Sequence, residues 1–231
     1  SKALEEKADE FAVATFDEAL TLGEAGISKP IIILGCSDSN IFGNFSENKR
    51  IMPNIIPTVS DISEIKALKG IVKSVNVKLN TGMNRLGVSA ENLDELVFKL
   101  TENGIGIKSI FTHLYKGDDA IESEKQFSVF EKATAKYSES GIKRHCCASC
   151  CLSLSEKFRC DAVRVGIAMY GYSDVTEPVM SVYTNILQVL NVCKGEHISY
   201  GDYVAPRDMR VAAIRAGYAD GYRRKNGKDR F

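Results

Sequence analysis

The residues whose types and spacing most clearly suit a binding or catalytic role lie at positions 161–172, D-A-V-R-V-G-I-A-M-Y-G-Y. Residues 162–165 read as a short apolar strand, in which Arg164 places a guanidinium among residues that favour burial. Gly166 follows, and a backbone without a Cβ can approach a ligand closely and offer N–H groups to an anion such as a phosphate. The alternative for this stretch alone is an ordinary strand and turn whose arginine pairs with a local carboxylate.

Other polar residues occur near the carboxyl ends of segments that read as strands. Together with the stretch above, they are Lys78, Arg85, His113, Ser149, Arg164 and Gly166. In parallel α/β barrels the reactive groups lie at the carboxyl ends of the strands, so we expect these residues to meet. Such a ring binds anions and carries an aromatic platform. It suits a phosphorylated, flat, conjugated cofactor better than a free metal ion.

The elements that must position these residues alternate between strands and helices. Strands are predicted at 10–15, 31–34, 55–59, 75–79, 107–112, 144–148 and 162–165, and helices at 16–25, 60–68, 90–103, 121–140 and 152–158. Most of the strands are continuous apolar runs, which is typical of parallel strands covered on both faces. No G-x-G-x-x-G follows the first strand, so a barrel is favoured over a dinucleotide-binding sheet.

The pattern changes after Tyr172. Residues 179–192 alternate as a strand does, Lys194 and Gly195 form a turn, and residues 210–214 read as another strand with no helix between. We therefore predict an α/β, (β/α)8 TIM-type barrel at residues 1–174 and the start of a C-terminal all-β domain at residues 175–231. An eight-stranded barrel needs one more strand, which we expect before Ser1, and the β domain is expected to continue after Phe231.

Composition restricts the possible partners. The 231 residues include 30 Lys plus Arg and 30 Asp plus Glu, so nothing favours nucleic acid or an anionic membrane as a partner. No apolar run reaches the roughly 18 residues of a membrane span, and no signal peptide is visible, so a cytoplasmic location is expected.

Four of the seven cysteines lie in C-C-A-S-C-C, without a second Cys or His cluster. We expect core residues in a reducing compartment and no metal site.

Several segments resemble those of bacterial alanine racemases, which are fold-type III pyridoxal phosphate enzymes. They are F-A-V-A-T-F-D-E-A-L, K-L-N-T-G-M-N-R-L-G-V, F-T-H-L, V-R-V-G-I-A-M-Y-G, I-S-Y-G and G-Y-A-D-G-Y, in family order over nearly the whole chain. The resemblance implies pyridoxal 5'-phosphate as cofactor and interconversion of L-alanine and D-alanine, which supplies D-alanine for cell-wall peptidoglycan. It also implies a homodimer whose active sites are shared across the interface.

The resemblance assigns roles around the cofactor. Arg164 is similar to the arginine that hydrogen-bonds the pyridine nitrogen, and its pKa above about 12 means that it would not hand over its proton. An unprotonated ring is a poorer electron sink, which favours prompt return of the Cα proton. His113 resembles the residue packed beside the ring. Ser149, with the backbone of Gly166 and Ile167, resembles the phosphate cradle.

Racemisation also needs proton-transfer groups on both faces of Cα. Tyr200 resembles the acid/base residue that one subunit contributes to its partner's site, with Arg85 hydrogen-bonded to the phenol. The other group is the family's cofactor-binding lysine in a K-A-N-A-Y-G-like motif, which does not occur in this sequence. Lys78 resembles a lysine that is carbamylated in some members, and Tyr218 one at the substrate entrance; a plain strand-end lysine and a core tyrosine are the alternatives. We expect the central part of a racemase, inactive by itself.

The sequence also departs from the family and leaves other functions open. Asn80 stands where Asp is usual, Asn84 where Gly is usual, and Ala148 where Asn is usual. One alternative is a racemase for serine or another small amino acid. A second is the related single-barrel pyridoxal phosphate-binding protein, which has no β domain, so that S-Y-G and G-Y-A-D-G argue against it. A third is a non-catalytic chain that only dimerises.

Overall fold

The computed structural model describes residues 1–36 and 53–222, and it divides the chain into two compact units, Ser1–Val179 and Met180–Phe231. The first unit contains a six-stranded sheet. Its strands are β1 Phe11–Val13, β2 Ile31–Cys36, β3 Ile55–Val59, β4 Ser74–Lys78, β5 Gly106–Phe111 and β6 Lys143–His145. The α-helices of the described part are α1 Phe16–Glu24, α2 Ile65–Leu68, α3 Leu93–Glu102 and α4 Ala120–Thr134.

The order of the strands identifies the architecture. Each strand pairs in parallel with the next strand along the chain, from β1 to β6. A doubly wound sheet reverses this order at a switch point, whereas a barrel keeps it. The sheet is also curled, because Glu10 before β1 forms ion pairs with Lys108 of β5 and Lys143 of β6 at 3.0 and 3.1 Å. The order and the curl confirm the predicted partial TIM-type barrel.

Burial explains why the strands read as apolar runs. All of β3 is buried, and so is β4 after its first residue, since helices cover one face of the sheet and the barrel interior lies on the other. Helix α3 packs on this core through Leu93, Leu96 and Leu100, which recur at the spacing of one helix face and are fully buried. Helix α4 buries Phe127 and Phe130 but also polar residues on the same face.

Two of the predicted elements do not form. Residues 162–165 form no strand; only Arg164 makes a parallel bridge, to Ala148, because the segment beside β6 has too few ladder bonds to be a strand. Residues 152–158 form no α-helix, and 3-10 turns lie at Ser149–Cys151 and Glu156–Arg159 instead. A predicted helix of this length is too short to nucleate by itself without a strongly buried face.

The second unit contains an antiparallel pair, β7 Ile186–Val192 and β8 Met209–Ile214. The predicted strand at 179–192 is therefore shorter than expected, and the one at 210–214 is found. A 3-10 turn follows at Tyr218–Asp220. Across residues 1–36 and 53–222, no helix has both the length and the apolar composition that a membrane span requires.

Candidate functional site

Four of the six predicted strand-end residues, His113, Ser149, Arg164 and Gly166, meet around a cavity of about 1090 Å³ in the first unit, and Lys78 and Arg85 are not among the residues that line it. The polar and backbone positions on its wall include His113, His145, Ser149, Arg164, Gly166 and Ile167. His113 and Ser149 come from the segments after β5 and β6, His145 from the end of β6, and the others from the Arg164 bridge and the segment that follows it. Parallel strands bring these segments to one end of the sheet, which is why residues far apart in sequence share one cavity.

Arg164 is held mainly by backbone carbonyl groups. Its Nη2 donates to the Thr112 oxygen at 2.7 Å and to the Cys146 oxygen at 3.2 Å, and Nη1 donates to the His145 oxygen at 3.3 Å. None of its hydrogen bonds within the described residues goes to a carboxylate, so the local ion pair considered from the sequence is not formed. Burial lowers the pKa of the guanidinium, which still remains charged near neutral pH because arginine starts so high.

His145 lies behind Arg164 and is itself buried. Nη1 of Arg164 contacts its Nδ1, and its Nε2 lies 3.1 Å from the Ser109 hydroxyl, which donates to Oδ1 of Asn76 at 2.6 Å. The ring stacks on Phe111 with 5.0 Å between centroids. Burial, together with the positive charges of Arg164 and Lys143, lowers the pKa of His145 to about 3. The imidazole is therefore neutral at physiological pH.

His113 occupies a strongly positive environment. Its Nδ1 lies 3.5 Å from Nη2 of Arg164. Burial first, then the charges of Arg164, Arg85 and Lys78, lowers the pKa of His113 to about 4. Lys78 is buried at the end of β4, where its ammonium lies 5.7 Å from the centroid of the Phe111 ring, whereas Arg85 is exposed. A neutral imidazole surrounded by cations suits a site for an anionic ligand.

Ser149 gathers backbone donors around its hydroxyl. Its Oγ accepts from the N–H groups of Gly166 and Ala168 at 2.9 and 3.2 Å. In the described part of the chain, the Ile167 N–H between them has no acceptor. The N–H groups of Gly166 and Ile167 and the Ser149 hydroxyl thus lie together at the cavity wall, and such a set can hold phosphate oxygens.

The loop that carries Arg85 is closed on itself. Asn80 N donates to the Val88 oxygen and Val88 N donates to the Lys78 oxygen, both at 2.8 Å. Oδ1 of Asn80 also accepts from the N–H groups of Gly82 and Asn84 at 3.1 Å. Asn84 has φ of 53°, a left-handed conformation that Asn tolerates better than most residues. The asparagines at 80 and 84 are therefore compatible with the loop geometry.

The two predicted tyrosines belong to the second unit and are exposed on it. Tyr200 is 89% exposed and Tyr218 is 64% exposed. Tyr200 follows Ser199, whose φ of 60° makes a sharp turn at this point. Tyr218 begins the 3-10 turn, and Asp220 Oδ2 accepts from the Gly217 N–H at 2.9 Å.

Three of the four cysteines in C-C-A-S-C-C are packed into the first unit, and the fourth, Cys150, is exposed. Cys146, Cys147 and Cys151 are buried, and Cys150 and Cys151 place their sulfur atoms 3.9 Å apart. The Cys146 thiol donates to the Phe158 oxygen at 3.1 Å. Among the described residues, no group of three or more His, Cys, Asp or Glu side chains is arranged to hold a metal ion.

Sequence reasoning assigned no role to His145. It lies within a predicted strand and not after one, so the strand-end rule did not select it. Its signal was a second polar residue after Arg144 in a predicted strand, four positions before Ser149. The structure shows that this side chain turns inward, towards Arg164.

Comparisons with known proteins agree with this geometry. The family model for the alanine racemase N-terminal domain matches residues 1–174, and that for the alanine racemase C-terminal domain matches residues 179–230. Alanine racemases of Clostridium tetani and Thermodesulfovibrio yellowstonii are 33% and 34% identical over 97% and 93% of this chain, which spans 64% and 59% of their lengths. The alanine racemase structure from Acinetobacter baumannii matches with a TM-score of 0.75 at 26% identity, and the match covers 95% of this chain and 65% of the chain in that structure. The chain belongs to the alanine racemase family.

Proposed function

We propose that this chain forms part of an alanine racemase, which interconverts L-alanine and D-alanine by two proton transfers at Cα and uses pyridoxal 5'-phosphate. The observation that carries the proposal is a charged Arg164 held by three backbone carbonyls, in the same cavity as the donor set around Ser149. Relatives at 33% and 34% identity carry the name alanine racemase. The product D-alanine would supply cell-wall peptidoglycan, and the enzyme would work in the cytoplasm as a homodimer.

The donor set fits the cofactor at both of its ends. Ser149 Oγ and the N–H groups of Gly166 and Ile167 would hold the phosphate. Nη1 and Nη2 of Arg164 are used by the protein, whereas its Nε–H has no acceptor within the described residues and is left to bond a ring nitrogen. Neutral His113 would lie beside the ring.

The protein's own contribution is to hold protons in place. When bound, pyridoxal phosphate supplies an electron sink that makes the Cα proton of an amino acid acidic. Arg164 would donate a hydrogen bond to the ring nitrogen and would keep its proton, because a guanidinium does not ionise near neutral pH. His145 is neutral and bonded to Arg164, so it offers no proton either. With neither residue supplying a proton to the ring nitrogen, return of the proton to Cα would be favoured over side reactions.

Proton transfer on one face is assigned to Tyr200, acting in the active site of the other subunit of the dimer. Its 89% exposure on its own unit suits a side chain that serves a second chain. Arg85 would hydrogen-bond the phenol, a carbamylated Lys78 would position Arg85, and Tyr218 would line the substrate entrance. The family's cofactor-binding lysine would serve the other face, so activity must be measured on the full-length natural protein.

A matched pair of tyrosine variants tests the proposal. In the full-length protein, Tyr200→Phe should lower kcat in the direction that starts from the enantiomer whose Cα proton the tyrosine removes. The expected loss is about 10²- to 10⁴-fold, the range of general acid–base catalysis. Tyr183 is also 89% exposed on the same unit, so Tyr183→Phe serves as the control. Racemisation of L-alanine, D-alanine and L-serine would be followed by chiral chromatography.

Each outcome has a defined reading. Equal losses in the two variants would contradict the role of Tyr200. Faster racemisation of serine than of alanine would move the assignment to a serine racemase. No racemisation of either amino acid, with pyridoxal phosphate still bound, would support a non-catalytic cofactor-binding protein.

A further inference from the structure

Helix α4 carries a buried glutamine on its core face. Gln126 is 3% exposed and lies beside Phe127 and Phe130, which are also buried. A buried amide must find hydrogen-bond partners, because each unpaired donor or acceptor would cost free energy. Its partners therefore reveal what the side chain does.

The amide of Gln126 joins two loops. Oε1 accepts from the Tyr115 N–H at 2.8 Å, while Nε2 donates to Oγ1 of Thr81 at 3.2 Å and to the His113 oxygen at 3.4 Å. A backbone N–H can only donate, so the Tyr115 contact fixes which end of the amide is the oxygen. Thr81 belongs to the loop of residues 80–88, which carries Arg85 and is called the Arg85 loop. Tyr115 belongs to the loop of residues 112–119, which carries His113 and is called the His113 loop.

The connection continues to the arginine at the centre of the site. The hydroxyls of Thr81 and Thr112 lie 2.8 Å apart. The backbone carbonyl oxygen of Thr112 accepts from Nη2 of Arg164 at 2.7 Å. All of Thr81, Thr112 and Gln126 are buried, so water does not compete for these bonds. One helix residue thus links the segments after β4 and β5, and the second of these segments binds the Arg164 guanidinium through Thr112.

We propose that Gln126 is a positioning residue, which sets the spacing between the Arg85 loop and the His113 loop. The inference rests on the proposed function for its kinetic part only. The geometric part concerns two loops and a helix, whatever reaction they serve. A displacement of about 1 Å between reacting groups can lower a rate by roughly 100-fold, so a side chain that fixes the spacing contributes to kcat without touching substrate.

Two variants and one control separate positioning from ordinary stability. Gln126→Met keeps the volume of the side chain and removes all three hydrogen bonds. Thr81→Val keeps the shape of Thr81 and removes the hydrogen bonds of its hydroxyl to Gln126 and Thr112, while the bonds between Gln126 and the His113 loop remain. Ser123→Ala is the control, because Ser123 is equally buried on the same helix and donates to the Lys116 oxygen at 3.1 Å, in the His113 loop alone.

The first readout is hydrogen–deuterium exchange in the full-length protein, which does not depend on activity. With Gln126→Met we expect exchange to rise by about tenfold in peptides from both 80–88 and 112–119, the size expected for a lost buried hydrogen bond. Thr81→Val should affect 80–88 and leave the Tyr115 N–H protected. Ser123→Ala should affect 112–119 alone.

The second readout is the division between kcat and KM for alanine. Gln126→Met and Thr81→Val should lower kcat by about tenfold or more and change KM little, whereas Ser123→Ala should change neither beyond about twofold. Unchanged exchange at 80–88 in Thr81→Val would overturn the inference, even if Gln126→Met does not fold. If the exchange pattern is as expected but the protein racemises no alanine, the coupling stands and the proposed function fails.

Discussion

Nη1 of Arg164 donates to Nδ1 of His145, and this contact fixes the tautomer of the histidine. Because Nδ1 accepts, the ring proton is on Nε2, which donates to the Ser109 hydroxyl at 3.1 Å; that hydroxyl in turn donates to Oδ1 of Asn76 at 2.6 Å. All the donors of this chain point away from Arg164. The charged arginine therefore has a neutral neighbour that can neither supply a proton to it nor take one from it.

The first prediction concerns the pH dependence of stability. The pKa of His145 is about 3 in the folded protein and about 6.5 when unfolded, so below pH 6.5 the unfolded chain binds a proton that the folded chain does not. The contribution is complete above pH 6.5, and it is lost at up to roughly 1.4 kcal/mol per pH unit as the pH falls towards about 3. Urea unfolding between pH 7.5 and 5 measures this slope.

Two variants isolate the histidine in that measurement. The amide of His145→Gln can accept from Arg164 and donate to Ser109 but does not titrate. The pH slope of the free energy of unfolding should therefore fall by up to roughly 1.4 kcal/mol per pH unit, which corresponds to one proton. His197 is exposed and lies outside this chain of contacts, so His197→Gln is the control. An unchanged slope in His145→Gln would mean that the imidazole is not buried in its neutral form.

The second prediction concerns the shape of the guanidinium. A lysine ammonium cannot reach the Thr112 and Cys146 oxygens and His145 at once, so Arg164→Lys leaves buried acceptors unpaired. We expect a loss of about 1–3 kcal/mol in the free energy of unfolding and weaker binding of pyridoxal phosphate. Arg159→Lys is the control, because Arg159 is exposed and makes one ion pair with Glu156, at 3.2 Å. Equal effects of the two variants on stability would contradict this account.

The sequence predicted the barrel well because its strands are buried on both faces. The apolar run at 55–59 coincides with β3, and six of the seven predicted barrel strands are present. The seventh is a single bridge at Arg164, whose N–H donates to the Cys147 oxygen at 2.9 Å, and an apolar run does not reveal how many such ladder bonds a segment makes.

The candidate site was predictable only in part. The strand-end rule selected His113, Ser149 and Arg164, and the structure places them on one cavity. It missed His145, which lies inside a strand, and Gln126, which a helix pattern would usually place in solvent. Both act through contacts between residues far apart in sequence, so no local spacing indicates them. For Gln126, the only local signal was its position beside Phe127 and Phe130.

The third prediction tests the donor set around Ser149. Ser149→Ala removes the hydroxyl at which the Gly166 and Ala168 N–H groups converge. A hydrogen bond to a charged group is worth about 1.5–3 kcal/mol, so the Kd for pyridoxal phosphate should rise by roughly 10- to 100-fold. Ser153→Ala is the control, since Ser153 also lines the cavity but is exposed. Fluorescence titration measures both, and a similar rise in the two variants would contradict the cradle.

The last prediction concerns the loop that carries Arg85. Gly87 has φ of 130°, and a Cβ built on it would lie 2.6 Å from Asn80 N and 2.9 Å from the Leu79 carbonyl carbon. These atoms cannot retreat easily, because Asn80 N and the Lys78 oxygen are held by hydrogen bonds to Val88. Gly104 has φ of 73° and open space around it, so it shows the backbone strain without the clash.

In urea unfolding, Gly104→Ala should therefore lose about 1 kcal/mol through left-handed backbone strain. Gly87→Ala should lose about 2 kcal/mol more, through overpacking and because φ of 130° is less accessible to alanine than φ of 73°. If Gly87→Ala folds, it must shift the loop away from β4, and Arg85 moves with it. We then expect alanine turnover by the full-length protein to fall in Gly87→Ala and to be kept in Gly104→Ala. Equal stability losses in the two variants would show that the loop yields at Gly87, and the rigid placement of Arg85 would be wrong.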